Sequence, residues 1–255
     1  MKKQWIAFQA ILNKEVTRFV RIWSQTLLPP VITQMLYFLI FGKFIGSRIG
    51  NIEGVDYMAF IVPGLVMMAV INSAYVNVVS SFFSAKFQRN IEEMLVAPVS
   101  SWVIMAGYVS AGVLRGLLVG FLVFAVSCFF TRPVIHSFFM IFIFILLTAV
   151  LFSLGGLLNG IFSKNFDDVS IFPTFVLTPL IYLGGVFYSI NHLPPVWQHI
   201  SRLNPILYMV NGFRFGFYGL SDVNLFLSLG LLIVFIFGLI LINFRLLEKG
   251  VGLKN

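Results

Sequence analysis

Residues able to do chemistry are few in this chain, and most of them stand alone. It has 255 residues, of which only 17 are Lys or Arg and 9 are Asp or Glu. The one dense cluster is Lys86, Arg89, Glu92 and Glu93, at and just inside the stretch FQRNIEEMLVAPVSS (87–101). His136, His192 and His199 are dispersed; the last two are separated by Pro194 and Pro195, which argues against a shared metal site. The single Cys128 cannot form an intrachain disulfide and is expected to be a small core residue. No G-x-S-x-G, H-E-x-x-H or C-x-x-C pattern occurs, and the only Gly-Lys pair, Gly42-Lys43, is followed by Phe44 and makes no phosphate-binding loop. The sequence therefore predicts no enzyme and no cofactor in this chain. Any nucleotide energy must come from another chain.

The charged cluster has a helical pattern. Phe87, Ile91, Met94, Leu95 and Pro98 recur at i, i+4, i+7, i+8 and i+11, leaving Arg89, Asn90, Glu92 and Glu93 on the opposite surface. Residues alone leave two readings open, a bland connector or a short docking helix.

The elements that would position it are set by solvent. Hydrophobic residues make up 59% of the chain and charged ones 10%, against roughly 45–50% and about 25% in soluble domains. Such a chain cannot cover itself with a polar surface and must face lipid. Its long uncharged runs predict six transmembrane helices, at about 25–43, 58–82, 103–130, 138–162, 169–189 and 224–244. Continuous apolar runs exclude a β-barrel, whose strands alternate. With both termini cytoplasmic, Lys2, Lys3, Lys14, Arg18, Arg21, Lys86, Arg89, Lys164, Arg245, Lys249 and Lys254 lie inside. Lys43, Arg48, Arg132, Arg202 and Arg214 lie outside, a basic excess that favours this orientation. The net charge of +8 is then a topology signal and a contact with anionic lipid headgroups, not a nucleic-acid footprint. The charged N-terminal segment has no cleavage site after it, so no signal peptide is expected. In residues 3–22, Trp5, Leu12, Val16, Phe19 and Trp23 form one stripe, and Lys14, Arg18 and Arg21 form another. This predicts an amphipathic helix lying in the membrane interface.

The predicted spans contain no Asp or Glu, which disfavours coupling to an ion gradient. Arg115 is their one buried charge, expected to pair inside the bundle or to touch an anionic substrate. Gly112, Gly116 and Gly120, like Gly156 and Gly160, have close-packing spacings that suit either intrachain contacts or a dimer seam. Span 169–189 contains Pro173, Pro179 and Gly184-Gly185 and is expected to be kinked. Residues 190–218 are too apolar for a solvated loop, yet are broken at Pro194-Pro195 and Asn204-Pro205. Two half-helices dipping into the outer leaflet, about 195–201 and 206–217, fit this pattern.

Two blocks carry a family resemblance: FQRNIEEMLVAPVSS (87–101) and FPTFVLTPLIYLGGVFYSINHLPPVWQHISRLNPILYMVNGFRFG (172–216). The sequence resembles the membrane subunit of an ABC-2 type, or type V, transporter along its full length. That resemblance implies an all-α membrane protein with six transmembrane helices, an N-terminal interfacial helix, a coupling helix at 84–97 and re-entrant outer helices at 190–218. It implies a bacterial inner-membrane permease acting as two copies with two separate ATPase subunits, which bind the ATP and magnesium. Lys86, Phe87, Arg89, Asn90, Glu92, Glu93 and Leu95 would couple to the ATPase, with the helix bearing Lys14, Arg18 and Arg21 as a second contact. Pro194, Pro195, Asn204, Pro205 and Arg214 would shape the outer segment. The family's path is lined by its first, second and fifth spans, which makes Asn72, Asn77, Thr174 and Thr178 candidate linings. Those four side chains could equally hydrogen-bond between helices. The chain lacks the large soluble insertions of the family's polysaccharide exporters. The alternatives are an ATP-independent channel or scaffold, or an ion-coupled secondary transporter.

Overall fold

The computed structural model describes residues 2–91, 94 and 98–252. Its helices are α1 (Lys2–Arg21), α2 (Trp23–Ile49), α3 (Tyr57–Phe87), α4 (Ser101–Ser127) and α5 (Phe138–Phe162). There follow α6 (residues 166–182), α7 (Pro195–Arg202), α8 (Pro205–Tyr218) and α9 (Leu225–Lys249). Among the described residues five helices, α2, α3, α4, α5 and α9, are long and apolar enough to cross a membrane. The predicted span at 169–189 is the exception. Helix ends at Tyr182, and within α6 residues Pro173–Leu177 are π-helical, the break that Pro173 and Pro179 led us to expect.

The bundle is built around α3, which packs against α4 and α5 along its length. Almost every side chain from Tyr57 to Lys86 is buried. After the first turn, only Asn72, Val76, Ser80, Ser84 and Phe87 stay open, and their spacing places them on a single stripe. Glycines let the neighbours approach. A Cβ on Gly116 would lie 3.0 Å from Ala74 Cβ, and one on Gly156 only 2.5 Å from the Tyr75 carbonyl oxygen. The glycine spacings thus serve contacts within the chain. Pro63 interrupts α3 without destabilising it: the ring removes the N–H that would bond Ala59, and the Tyr218 hydroxyl takes that carbonyl at 2.9 Å.

Three further differences from the sequence reading have simple causes. The outer loop predicted at 44–57 is shorter, because α2 runs to Ile49 and a hairpin pairs Ile52 with Val55. Its turn residues Glu53 and Gly54 both have positive φ, 52° and 84°, the backbone of a type I′ turn. Helix α1 buries Ile11, Glu15 and Phe19, so of the apolar stripe only Phe19 is fully enclosed, while Trp5 and, at the start of α2, Trp23 are more than half exposed. Cys128 is exposed at the end of α4, not in the core.

Candidate functional site

Contacts divide the molecule into two polar ends. At one, α1, the end of α3, the start of α4 and the end of α5 meet. Helix α3 stops at Phe87, and Arg89 adopts φ 63°, a left-handed conformation that costs a non-glycine residue about 1 kcal/mol. The chain therefore turns sharply before helix resumes at Asn90 and Ile91. Ile91 (2% exposed) and the half-buried Met94 pack on Ile11, Phe82, Ala85 and Tyr108, which anchors this segment to α1, α3 and α4. Phe87, Gln88 and Arg89 face outward, and Asn90 is half-buried. Glu92, Glu93 and Leu95 lie outside the described residues. The chain returns at Pro98, where Gln4 of α1 grips both sides: its Nε2 donates to the Pro98 carbonyl (3.0 Å) and its Oε1 accepts from the Ser100 N–H (3.1 Å). A cavity of about 440 Å³ lies between α1 and this segment, lined by Ile11, Lys14, Asn90, Met94 and Val99 among others.

Two expectations are corrected here. The predicted helix 84–97 is not continuous, because residues 84–87 belong to α3 and the turn at Gln88–Arg89 separates them. Lys86 does not face outward; it is 8% exposed, and its Nζ donates to the carbonyls of Ile161 and Ser163, both at 2.7 Å. A cation satisfying the last carbonyls of α5 is a C-terminal cap with favourable dipole interaction.

Just above this end is a buried ionic cluster that sequence reasoning missed. Glu15 is wholly buried; its Oε2 accepts from Arg18 Nε (3.1 Å) and from the Ser81 hydroxyl. Arg18 Nη2 also donates to Asn77 Oδ1 (2.9 Å) and to the Asn77 carbonyl (3.2 Å). Arg115 reaches the same Asn77 Oδ1 at 3.4 Å and the Thr26 carbonyl at 3.0 Å. That carbonyl stands where α2 is interrupted at Leu27 (φ −107°, ψ −39°). The pairing expected for Arg115 is thus with backbone and a side-chain amide. Of the basic stripe, Lys14 and Arg21 are exposed while Arg18 points inward. Glu15 was hard to find because one acid among basic residues reads as a solvated charge. The signal was its register, i+4 from Ile11 and i−4 from Phe19.

At the opposite end, α8 packs on α3, α5 and α9, and the short α7 lies between α8 and the turn at Ile190–His192. Asn204 caps α8 through the Ile206 N–H (3.0 Å) and ties it to the Leu180 carbonyl (2.6 Å), while Pro205 takes the first helical position. Pro194 and Pro195 open α7 and are exposed. Arg214 is 2% exposed; it donates to the Gly185 carbonyl at 2.5 Å, stands 3.8 Å from Asp222 and 4.0 Å from the centre of the Phe60 ring. Glu53 and Asp222, both unassigned by the sequence reading, converge on Ser189 Oγ at 2.8 and 2.9 Å. Glu53 ties the hairpin to the 189–191 segment, and Asp222 ties the α8–α9 connection to the same segment. Among the described residues no group of three potential metal ligands occurs.

The four candidate path residues are not gathered into one site. Asn77 belongs to the ionic cluster; Asn72 bonds its own helix at the Met68 carbonyl (3.0 Å) on the open stripe of α3. Thr174 is exposed, and Thr178 Oγ1 donates to the Pro173 carbonyl (2.8 Å) in the irregular part of α6.

A bundle of apolar helices, five of them long and apolar enough to cross a membrane among the described residues, defines a multi-span membrane protein. Residues 6–218 match the family model described as ABC-2 type transporter, and the chain belongs to that family. It is 60% identical over all 255 residues, the whole of both chains, to the inner membrane transport permease YadH of Escherichia coli K12. It is 22% identical to nodulation protein J of Neorhizobium galegae, across 96% of this chain and 93% of that one. The corresponding protein of Rhizobium meliloti is 23% identical over 89% of this chain and 86% of its own.

Proposed function

We propose that the chain is the membrane half of an ATP-driven exporter. Two copies span the inner membrane with both termini cytoplasmic and pair with two separate ATPase subunits, which bind ATP and magnesium. The observation that carries this reading is the segment after α3. A non-glycine residue held in a left-handed turn re-aims the chain, Ile91 and Met94 fasten it to three helices, and Phe87 and Arg89 are left to a partner. A solvated connector needs none of these features. ATP binding draws the two docking segments together, and the bundle responds because Gln4 joins the far side of that segment to α1. The states differ in their affinity for substrate, which gives alternating access. The path runs between the copies along the open stripe of α3 and the exposed face of α6, with α7 and α8 capping its outer end. An acid-free lining that sets Asn72, Ser80, Ser84 and Thr174 among apolar side chains suits an amphipathic or lipid-like substrate. Glu15 does not favour ion coupling, because Arg18 and Ser81 already hold its Oε2 and the Lys14 ammonium stands 4.0 Å from Oε1.

The test is co-purification with the ATPase subunit. Arg89→Glu, and separately the charge reversal Glu92→Lys with Glu93→Lys, should reduce both recovery of the ATPase and nucleotide-dependent transport. If all variants retain both, the docking assignment fails.

A further inference from the structure

A second recess, of about 340 Å³, opens sideways between α3, α5, α6 and α9 and touches neither the ionic cluster nor the open stripe of α3. Its walls include Tyr75, Phe152, Gly155, Asn159, Phe162 and Phe172. Two features separate it from a packing defect. First, adjacent glycines of α5 behave differently. Gly156 is pressed against the Tyr75 backbone, where a Cβ would come within 2.5 Å of its carbonyl oxygen, whereas a Cβ on Gly155 would find only ordinary contacts with the Tyr75 ring, at 3.7 Å. Gly155 is thus not needed for helix approach, and it leaves the recess open. Second, Tyr75 is 1% exposed, yet its hydroxyl has no hydrogen-bond partner. Its ring is fixed by stacking on Phe172, with centroids 5.7 Å apart. The nearest polar side chain, Asn159, does not take its proton in this geometry: Nδ2 donates to the Val169 carbonyl (3.3 Å), and Ser163 Oγ donates to the Asn159 backbone carbonyl at 2.8 Å and lies 3.3 Å from Oδ1. A buried hydroxyl without an acceptor is costly, so it marks a place where a partner is missing.

We propose that this recess is a binding site for a resident membrane phospholipid. One acyl chain lies against Phe152, Gly155 and Phe172, and an ester carbonyl accepts the Tyr75 hydroxyl. The level is right for that chemistry: Asn159 lies one turn before the end of α5 at Phe162, and the exposed Lys164 follows two residues later, at the depth of a headgroup phosphate. A sugar or a soluble anion would find no comparable polar lining. The site rests on membership of a membrane family and not on ATP coupling.

The experiment is photolabelling of the full chain, without ATPase, in vesicles of phosphatidylethanolamine and phosphatidylglycerol carrying a diazirine on one acyl chain. Label is expected to concentrate on residues 151–172. Gly155→Leu, which fills the recess, should reduce it about tenfold there. Gly230→Leu, at a glycine with open space around it, should not. Tyr75→Phe should weaken retention of the lipid through detergent extraction while preserving the fold. Even labelling around all lipid-facing helices, or unchanged labelling in Gly155→Leu, would overturn the assignment. So would loss of label when ATP is added to the complex with its ATPase, since that would identify a transported molecule rather than a resident one.

Discussion

Glu15 holds the guanidinium of Arg18 at the edge of the bundle, and its removal has a definite sign. Glu15→Gln takes the carboxylate from the half-buried Arg18 and from Ser81; breaking one side of a fully buried pair costs about 3–5 kcal/mol, and this partly exposed one should cost about 1–3 kcal/mol. Thermal unfolding in detergent should show a fall in midpoint. Arg115→Met should cost less, because it leaves Glu15 paired with Arg18. Little of this cluster could be read in the sequence. Arg115 stood out as a lone charge in an apolar run, but which atoms would meet it depended on α1 crossing α3 at Asn77. No spacing within a single helix encodes such a crossing. Gly155 and Gly156 make the same point, since two identical neighbours have opposite roles only because one meets the Tyr75 backbone and the other its ring.

At the level of elements, the lysine and the arginine of the charged cluster have separable roles. Lys86→Met uncaps α5 and leaves the Ile161 and Ser163 carbonyls unsatisfied, so it should lower stability by about 1–3 kcal/mol while sparing ATPase recovery once folded. Arg89→Gly relaxes the left-handed turn and should raise stability slightly, by a few tenths to about 1 kcal/mol, while removing a docking charge. Opposite effects on melting and on co-purification would separate the cap from the contact surface; the reverse pattern would refute the division. Periodicity made the helical residues Asn90, Ile91 and Met94 legible, and the prolines marked the break in α6 and the starts of α7 and α8. The end of α3 was not legible, because nothing in KFQRN announces a left-handed arginine; Gly or Asn is the usual signal there.

For the whole molecule, the open stripe of α3 is the clearest statement about assembly. A central helix buried on all sides but one, with Asn72, Ser80 and Ser84 on that side, needs a second surface. We expect Val76→Cys, in a background where the exposed Cys128 is Ser, to cross-link between two copies in the membrane. A cysteine at Phe237 on α9, exposed on the lipid side, should not. Failure of the first with success of the second would place the paired surface on α9 and move the path away from α3.

The ionic cluster also bears on how the chain is made. Helix α1 leaves the ribosome before α3 and α4, and Glu15 is a surface charge until they arrive. Arg115 then enters a hydrocarbon environment in which its compensating groups, Asn77 and the Thr26 carbonyl, are already in place. Removing residues 2–21 would therefore do more than delete an anchor. It should reduce the yield of inserted protein, measured as membrane-integrated chain per chain synthesised, and Arg115→Leu should restore much of it.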